Sequence, residues 1–232
     1  MRGRSWLAAG VFALGLGFSG GAAAAPPDDR VLPPEMHQSD KGRALAAKHA
    51  RALRDLNAEI YHCMPWVEIQ KHSIGFYKPR HLAGDNRYLS IRIYIEQEPS
   101  PQFSNLAMEQ RAAAMFSRYV GPLLRRMTRH AGVRNDDTID GFTMILEWRK
   151  QAVRVAGERP IHETIAVFLE KVDVEEFLSG QTPTRDLATK ARVLAFSGET
   201  ALGDLRLAAW DDDFVSTFRV QNYQLAPGVV CQ

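Results

Sequence analysis

The chain reads as an α+β fold: antiparallel sheet or sheets of hairpins with helices on one face, in the coarse order αββ-αββ-αβββ. Three observations predict this. Apolar residues alternate along Leu89, Ile91, Ile93 and Ile95, along Phe142, Met144, Leu146 and Trp148, and along Ile165, Val167 and Leu169. Three other stretches carry apolar residues at helical spacing. Short turn-rich links join the strands in pairs, which implies hairpins rather than crossovers.

Composition sets the outer bounds. The 232 residues are 45% hydrophobic and 24% charged, which excludes a disordered chain, a collagen-like fibre and a multi-pass membrane protein. The N-terminus has a three-part layout: Arg2 and Arg4, an apolar run over residues 6–18, then small residues through Ala25. That is the pattern of a secretory signal peptide, and the run is too short to span a bilayer. Ala22 and Ala24 place cleavage after Ala24, making 1–24 the signal and giving a periplasmic or secreted protein. Removing Arg2 and Arg4 leaves 27 basic and 27 acidic residues. A neutral mature chain has no global attraction for nucleic acid, and no stable membrane span remains after cleavage.

Residues 25–40 read as a Pro-rich linker, with Pro26, Pro27, Pro33 and Pro34 blocking regular pairing. Residues 41–232 then form one domain. Ser39 or Asp40 can cap a helix over 41–61 that ends before Pro65. Val67 and Ile69 hold one strand phase and Ile74 and Phe76 the other, so a break is expected near 71–73. The strand over 88–96 is the cleanest in the chain. A helix over 105–131 should kink or split at Gly121 and Pro122. The strands over 142–148 and 165–169 pair across a polar connection over 150–160. Asp173 and Glu176 form the pattern of a capping box, with Gly180 as the stop. Strands over 191–196, 204–210 and 214–220 complete the third unit, with Gly198 and Gly203 in turns.

Few residues carry a chemical signature. Cys63 and Cys231 are the only cysteines. In an oxidising compartment they are expected to form a structural disulfide tying the C-terminal tail to the end of the first helix. His62, Cys63 and Met64, with His72 and His81 downstream, could instead suit a soft metal, although their spacing matches no closed site. Asp136, Thr138, Asp140, Gly141 and Glu147 fall at ligand positions of a calcium loop, but the residues after Gly141 alternate as a strand, so the exit helix is missing. His162 and Glu163 begin a zinc-helix pattern whose second His is absent. Asp211, Asp212 and Asp213 read as a turn. Arg111, Arg118, Arg125 and Arg129, flanked by Arg126, form a helical stripe that suits an acidic partner or a solvated, locally paired face. There is no Gly-x-Ser-x-Gly, phosphate-binding loop or dinucleotide fingerprint.

The expectation is therefore an exported binding or assembly module without a cofactor or metal, whose partner is an envelope protein or polymer. No catalytic residue can be named. The alternatives are a hydrolase acting on an envelope polymer and a soft-metal-handling protein.

Overall fold

The computed structural model describes residues 25–96, 99–151, 159–207, 225 and 229–231. The signal-like residues, the Asp211 to Asp213 run and the strand expected over 214–220 lie outside these described residues.

The chain enters along the body of the domain. Val31 bridges Ile74, Leu32 N–H donates to the Ile74 carbonyl, and Leu32 and His37 are buried. The Pro-rich residues 25–40 thus pack against the domain instead of running through solvent. Ser39 caps the next helix, its Oγ accepting from Gly42 N–H at 3.1 Å. The helix expected over 41–61 is divided at His49 into α1 (Asp40–Lys48) and α2 (Ala50–Cys63). Leu45, Leu53, Leu56 and Ile60 form their buried side.

Strands β1 (Val67–Ile69) and β2 (Gly75–Tyr77) are two pieces of one interrupted edge. Both pair antiparallel with β3 (Tyr88–Ile95), β1 with its second half and β2 with its first. The gap falls where the change of phase predicts it. His72 has φ 54° there, in the left-handed region that a non-glycine residue rarely enters.

Four short helices follow: α3 (Pro101–Ser104), α4 (Met108–Met115), α5 (Gly121–Met127) and α6 (Ala131–Arg134). The expected long helix is interrupted between α4 and α5 by a π-helical turn, Phe116–Val120. Pro122 has no N–H to continue the ladder, and its ring crowds the carbonyl four residues back; the widened turn upstream absorbs both.

These helices carry the chain over to β4 (Gly141–Arg149), which pairs parallel with β3. This corrects the expectation of antiparallel hairpins alone: the link from β3 to β4 is a helical crossover. All other neighbours in the sheet are antiparallel. β5 (His162–Glu170) pairs with β4, β6 (Arg192–Ser197) with β5, and β7 (Thr200–Asp204) with β6. The described residues thus form a mixed seven-stranded sheet in the order β1-β3-β4-β5-β6-β7, with β2 also on β3. β7 replaces the strand expected to begin at Asp204. Gly198, at φ 56°, and Glu199 turn the chain back early, and Gly203 lies within the strand at a register shift.

Between β5 and β6 lie α7 (Lys171–Leu178) and α8 (Thr184–Lys190). The expected capping box does not form. α7 begins at Lys171 with Glu170 as its cap, and Asp173 and Glu176 both bind Lys190 of α8 instead. Gly180, at φ 81°, ends the unit as expected.

One face of the sheet is closed. Leu89, Ile91, Ile93, Ile95, Phe142, Met144, Leu146, Trp148, Ile165, Val167 and Leu169 are buried in a single core with the inner sides of the helices. Gly141 is required where the sheet leaves that core, because a Cβ there would lie 2.4 Å from the Leu169 carbonyl oxygen.

Candidate ligand cleft on the open sheet face

The opposite face of β3 to β6 is different. Its side chains form three rungs, set by register: Ser90, Thr143, Phe168 and Arg192; then Arg92, Ile145, Ala166 and Leu194; then Tyr94, Glu147, Thr164 and Phe196. The loop between β1 and β3 rises beside this face, with His81 edge-on to Phe168 at 4.9 Å. Together they enclose a cleft of about 660 Å³, lined among the described residues by strands and loops and by no helix. Ile145, Phe168, Leu194 and Phe196 are only partly buried and belong to no part of the closed core.

The polar end of the cleft is organised around Glu147. Arg92 Nη2 donates to Glu147 Oε2 at 2.7 Å and Gln70 Nε2 donates to the same oxygen at 3.2 Å, while His162 Nδ1 stands 3.2 Å from Oε1. Tyr94 packs on the His162 ring at 5.3 Å and accepts from Arg149 Nε at 2.8 Å. Arg92 sits opposite the gap between β1 and β2, where its carbonyl accepts from Gln70 N–H and Ser73 Oγ. Tyr77 reaches back to donate to the His72 carbonyl, holding the left-handed residue in place. Burial pushes the Tyr77 hydroxyl pKa up. At the other end, burial and then the neighbouring Arg192 charge hold His81 below the usual imidazole value, so it favours the neutral form. Three of the buried polar atoms that lack a hydrogen-bond partner among the described residues belong to this face: Thr143 Oγ1, Arg92 Nε and His162 Nε2. Thr143 and Arg92 line the cleft.

Sequence reasoning singled out other groups, and the structure scatters most of them. Cys63 and Cys231 do form a disulfide, with Cα atoms 5.6 Å apart. The bond takes the Cys63 thiolate away from any soft-metal role, and neighbouring His62 packs edge-on against Tyr61. The calcium-loop positions point to separate places. Asp136 lies under α1 and α2, bound by His49 Nε2 at 2.7 Å, by Lys48 and by Thr138. Its burial acts to raise its pKa, but bonds from Lys48, Thr138 and His49 outweigh that and hold it well below the carboxylate range. Asp140 accepts from Lys41 and from Arg87 N–H, and Glu147 lies on the open sheet face, bound by Arg92 and Gln70. Among the described residues no three metal-ligating side chains converge.

The Arg stripe is partly internal. Arg111 is buried and makes a two-bond pair with Glu163, both at 2.6 Å. Arg125 lies over the Phe177 ring, and Arg126 and Arg129 both reach Glu59. His162 and Glu163 therefore face opposite sides of β5, one to the cleft and one to the core. Among the described residues, no helix is long and apolar enough to cross a membrane.

No protein-family model matches the chain, and neither a curated protein nor a solved structure is significantly similar to it. The cleft itself could not be read in advance. Its trace in the sequence is that Ile145, Ala166, Phe168, Leu194 and Phe196 interrupt the polar phase of their strands.

Proposed function

We propose that the protein is an exported binding module that receives a small apolar or amphipathic molecule on the open face of its sheet. The observation that carries this reading is the set of partly buried apolar side chains, Ile145, Phe168, Leu194 and Phe196, lining a cleft of about 660 Å³ outside the core. That size falls in the range of single-ligand sites, and an apolar floor with few polar groups is their usual chemistry. An apolar face that the described residues leave unfilled costs hydrophobic stabilisation that an occupant would recover. The signal-like N-terminus and the disulfide support placing this activity outside the cytoplasm.

The neutral probe phenylnaphthylamine tests the site. It should fluoresce on binding to the mature chain, and Ala166→Trp, which fills the floor, should abolish the signal while leaving the melting temperature nearly unchanged. Equal fluorescence in Ala166→Trp and in a second floor variant, Leu194→Glu, would place apolar binding elsewhere and end this reading.

A hydrolase remains the second reading, and one feature favours it. Glu147 orients His162 through Nδ1 and leaves Nε2 without a partner among the described residues, as a general base requires. No Ser or Cys side chain is hydrogen-bonded to that nitrogen among the described residues, so the arrangement lacks the nucleophile of a triad. Turnover of a chromogenic ester that disappears in His162→Ala, with phenylnaphthylamine binding intact, would move the assignment to hydrolysis.

A further inference from the structure

The cleft has a direction. Along the middle rung the side chains run Arg92, Ile145, Ala166, Leu194, from a guanidinium on β3 to a leucine on β6. One flanking rung follows the same trend, from Tyr94 and Glu147 to Phe196; the other runs from Ser90 and Thr143 to Phe168 and ends on β6 in Arg192, whose guanidinium is paired with Asp204. Three strand spacings separate the two ends, about 14 Å. Basic groups outnumber acidic ones: Lys71, Lys78, Arg80 and Arg92 line the cleft with Glu199, Lys71 being paired with Asp29 at 3.5 Å and Arg92 with Glu147 at 2.7 Å. Lys78 and Arg80 are exposed and make no ion pair among the described residues. Arg92 makes one bond to Glu147, and its Nε has no partner among the described residues. Beside it on β4, Thr143 is 4% exposed and its hydroxyl is likewise unpartnered. A buried hydroxyl and a guanidinium with spare donors, at the polar end of an apolar trough, form a head-group site waiting for an acceptor.

We propose, resting on the binding reading above, that the occupant is a single amphipathic anion: an alkyl chain bearing a carboxylate or phosphate head. The head lies at Arg92 and Thr143, with Lys78 and Arg80 adding positive charge along the cleft wall. The chain runs over Ala166 toward Leu194 and Phe196. Gln70 and Glu147 act as positioning residues that hold the guanidinium. A molecule of this kind fits a concave trough one sheet wide, whereas a bilayer presents a plane.

Four probes with one chain length separate head from tail: dodecanoate, dodecyl phosphate, dodecanol and dodecyltrimethylammonium, each below its micellar concentration, titrated calorimetrically into the mature disulfide-bonded chain. The two anions should bind at least about tenfold more tightly than dodecanol, the value of one charge-assisted bond. Added salt should weaken the anions and leave dodecanol unchanged. Arg92→Met alone would strand Glu147, so the double variant Arg92→Met with Glu147→Gln is used, with circular dichroism as the check on folding. It should erase the preference for anions and spare dodecanol. Lys78→Gln with Arg80→Gln, two exposed positions, should weaken the anions about twofold to fivefold through the lost rim charge. A larger loss for phosphate than for carboxylate in the Arg92 double variant identifies phosphate as the preferred head, and the reverse identifies carboxylate.

Equal affinities for dodecanol and the anions, or tightest binding of the trimethylammonium probe, would overturn the head-group assignment while Ala166→Trp still blocked every probe, leaving the binding reading intact. Probe binding that Ala166→Trp does not touch would overturn both. Sedimentation with anionic phosphatidylglycerol vesicles in the absence of monomer binding would replace a trough for one molecule with a surface for a bilayer.

Discussion

Ile145 and Leu146 are neighbours on one strand, and they live in different surroundings. Leu146 points into the closed core and is fully buried; Ile145 points into the cleft and is only partly buried. The same contrast holds for Glu163 and His162 on β5. Glu163 is enclosed and doubly bonded to Arg111, whereas His162 keeps an unpartnered nitrogen at the open side. On the covered face the buried Arg111 and Glu163 satisfy each other and helices pack over the strands. On the open face Arg92 Nε, Thr143 Oγ1 and His162 Nε2 have no partner among the described residues. The covered face thus supplies stability, and the open face keeps side chains available to a ligand.

The sharpest way to break that contrast is Arg111→Met. It leaves the buried Glu163 carboxylate with only the more distant Lys150, at 4.0 Å, as a cation among the described residues, and should lower unfolding free energy by about 3–5 kcal/mol, read from urea denaturation. Adding Glu163→Leu should restore most of the loss, because what is costly is the stranded charge. A change under about 1 kcal/mol for the single variant would mean that the covered face tolerates open charge and is not closed as described.

The neighbouring pair on β4 gives the next test. Leu146→Ala should cost about 2–5 kcal/mol through transfer and cavity terms, and Ile145→Ala about 1 kcal/mol or less, since its side chain is only partly buried. The order should reverse for ligands: Ile145→Ala should weaken phenylnaphthylamine and Leu146→Ala should not. Equal destabilisation by the two would show that both faces are packed alike.

The disulfide joins α2, on the covered side, to the end of the chain. Cys231→Ser should lower stability by about 2–4 kcal/mol, less than the chain-entropy limit for so long a loop because unfolded chains keep some compactness. Limited proteolysis should then release the C-terminal residues first. Unchanged melting and protease resistance would show that the tail is held by packing alone.

The smallest effect is a pH dependence at the seam where the N-terminal residues meet β2. His37 Nδ1 donates to the Pro33 carbonyl at 3.1 Å, and Nε2 accepts from Phe76 N–H at 3.2 Å, an arrangement only the neutral ring can make. Burial, aided by the charges of Arg87 and Arg43, holds its pKa below 6.5. The unfolded chain therefore binds a proton first as pH falls. Stability from this group is intact above about pH 6.5 and is lost as pH drops from there toward the lowered value. His37→Gln should flatten that part of the stability-against-pH profile without altering probe binding in the cleft. A profile identical in the two proteins would remove His37 as its source.

Much of the secondary structure was legible because its signals are local. The alternation in β3 and β4, the break between β1 and β2, the Ser39 cap and the interruption at Pro122 each depend on residues a few positions apart. The misreadings share a different character. Hairpin links were expected throughout because turns flank the strands, but the helices from α3 to α6 carry β3 to a parallel neighbour. Asp173 and Glu176 matched a capping pattern, yet Lys190 from another helix claimed both. β7 was missed because Thr200, Ala201, Leu202, Gly203 and Asp204 are all exposed and leave no apolar phase to read. Arg111 looked like part of a solvated stripe, and only a carboxylate 52 positions away explains its burial.

By itself the sequence determined the local periods, the caps and breaks, the pairing of its only two cysteines and the polar phase of β3. Those follow from backbone geometry and from composition over a few turns of chain. Only the tertiary structure decided which strands are lateral neighbours, and with them the rungs that place Arg92 beside Ile145, Ala166 and Leu194. Register is a relation between distant segments, stabilised by the summed burial of the covered face. The open face inherits its order of side chains from that pairing, so the cleft exists only once the core on the other side has chosen it.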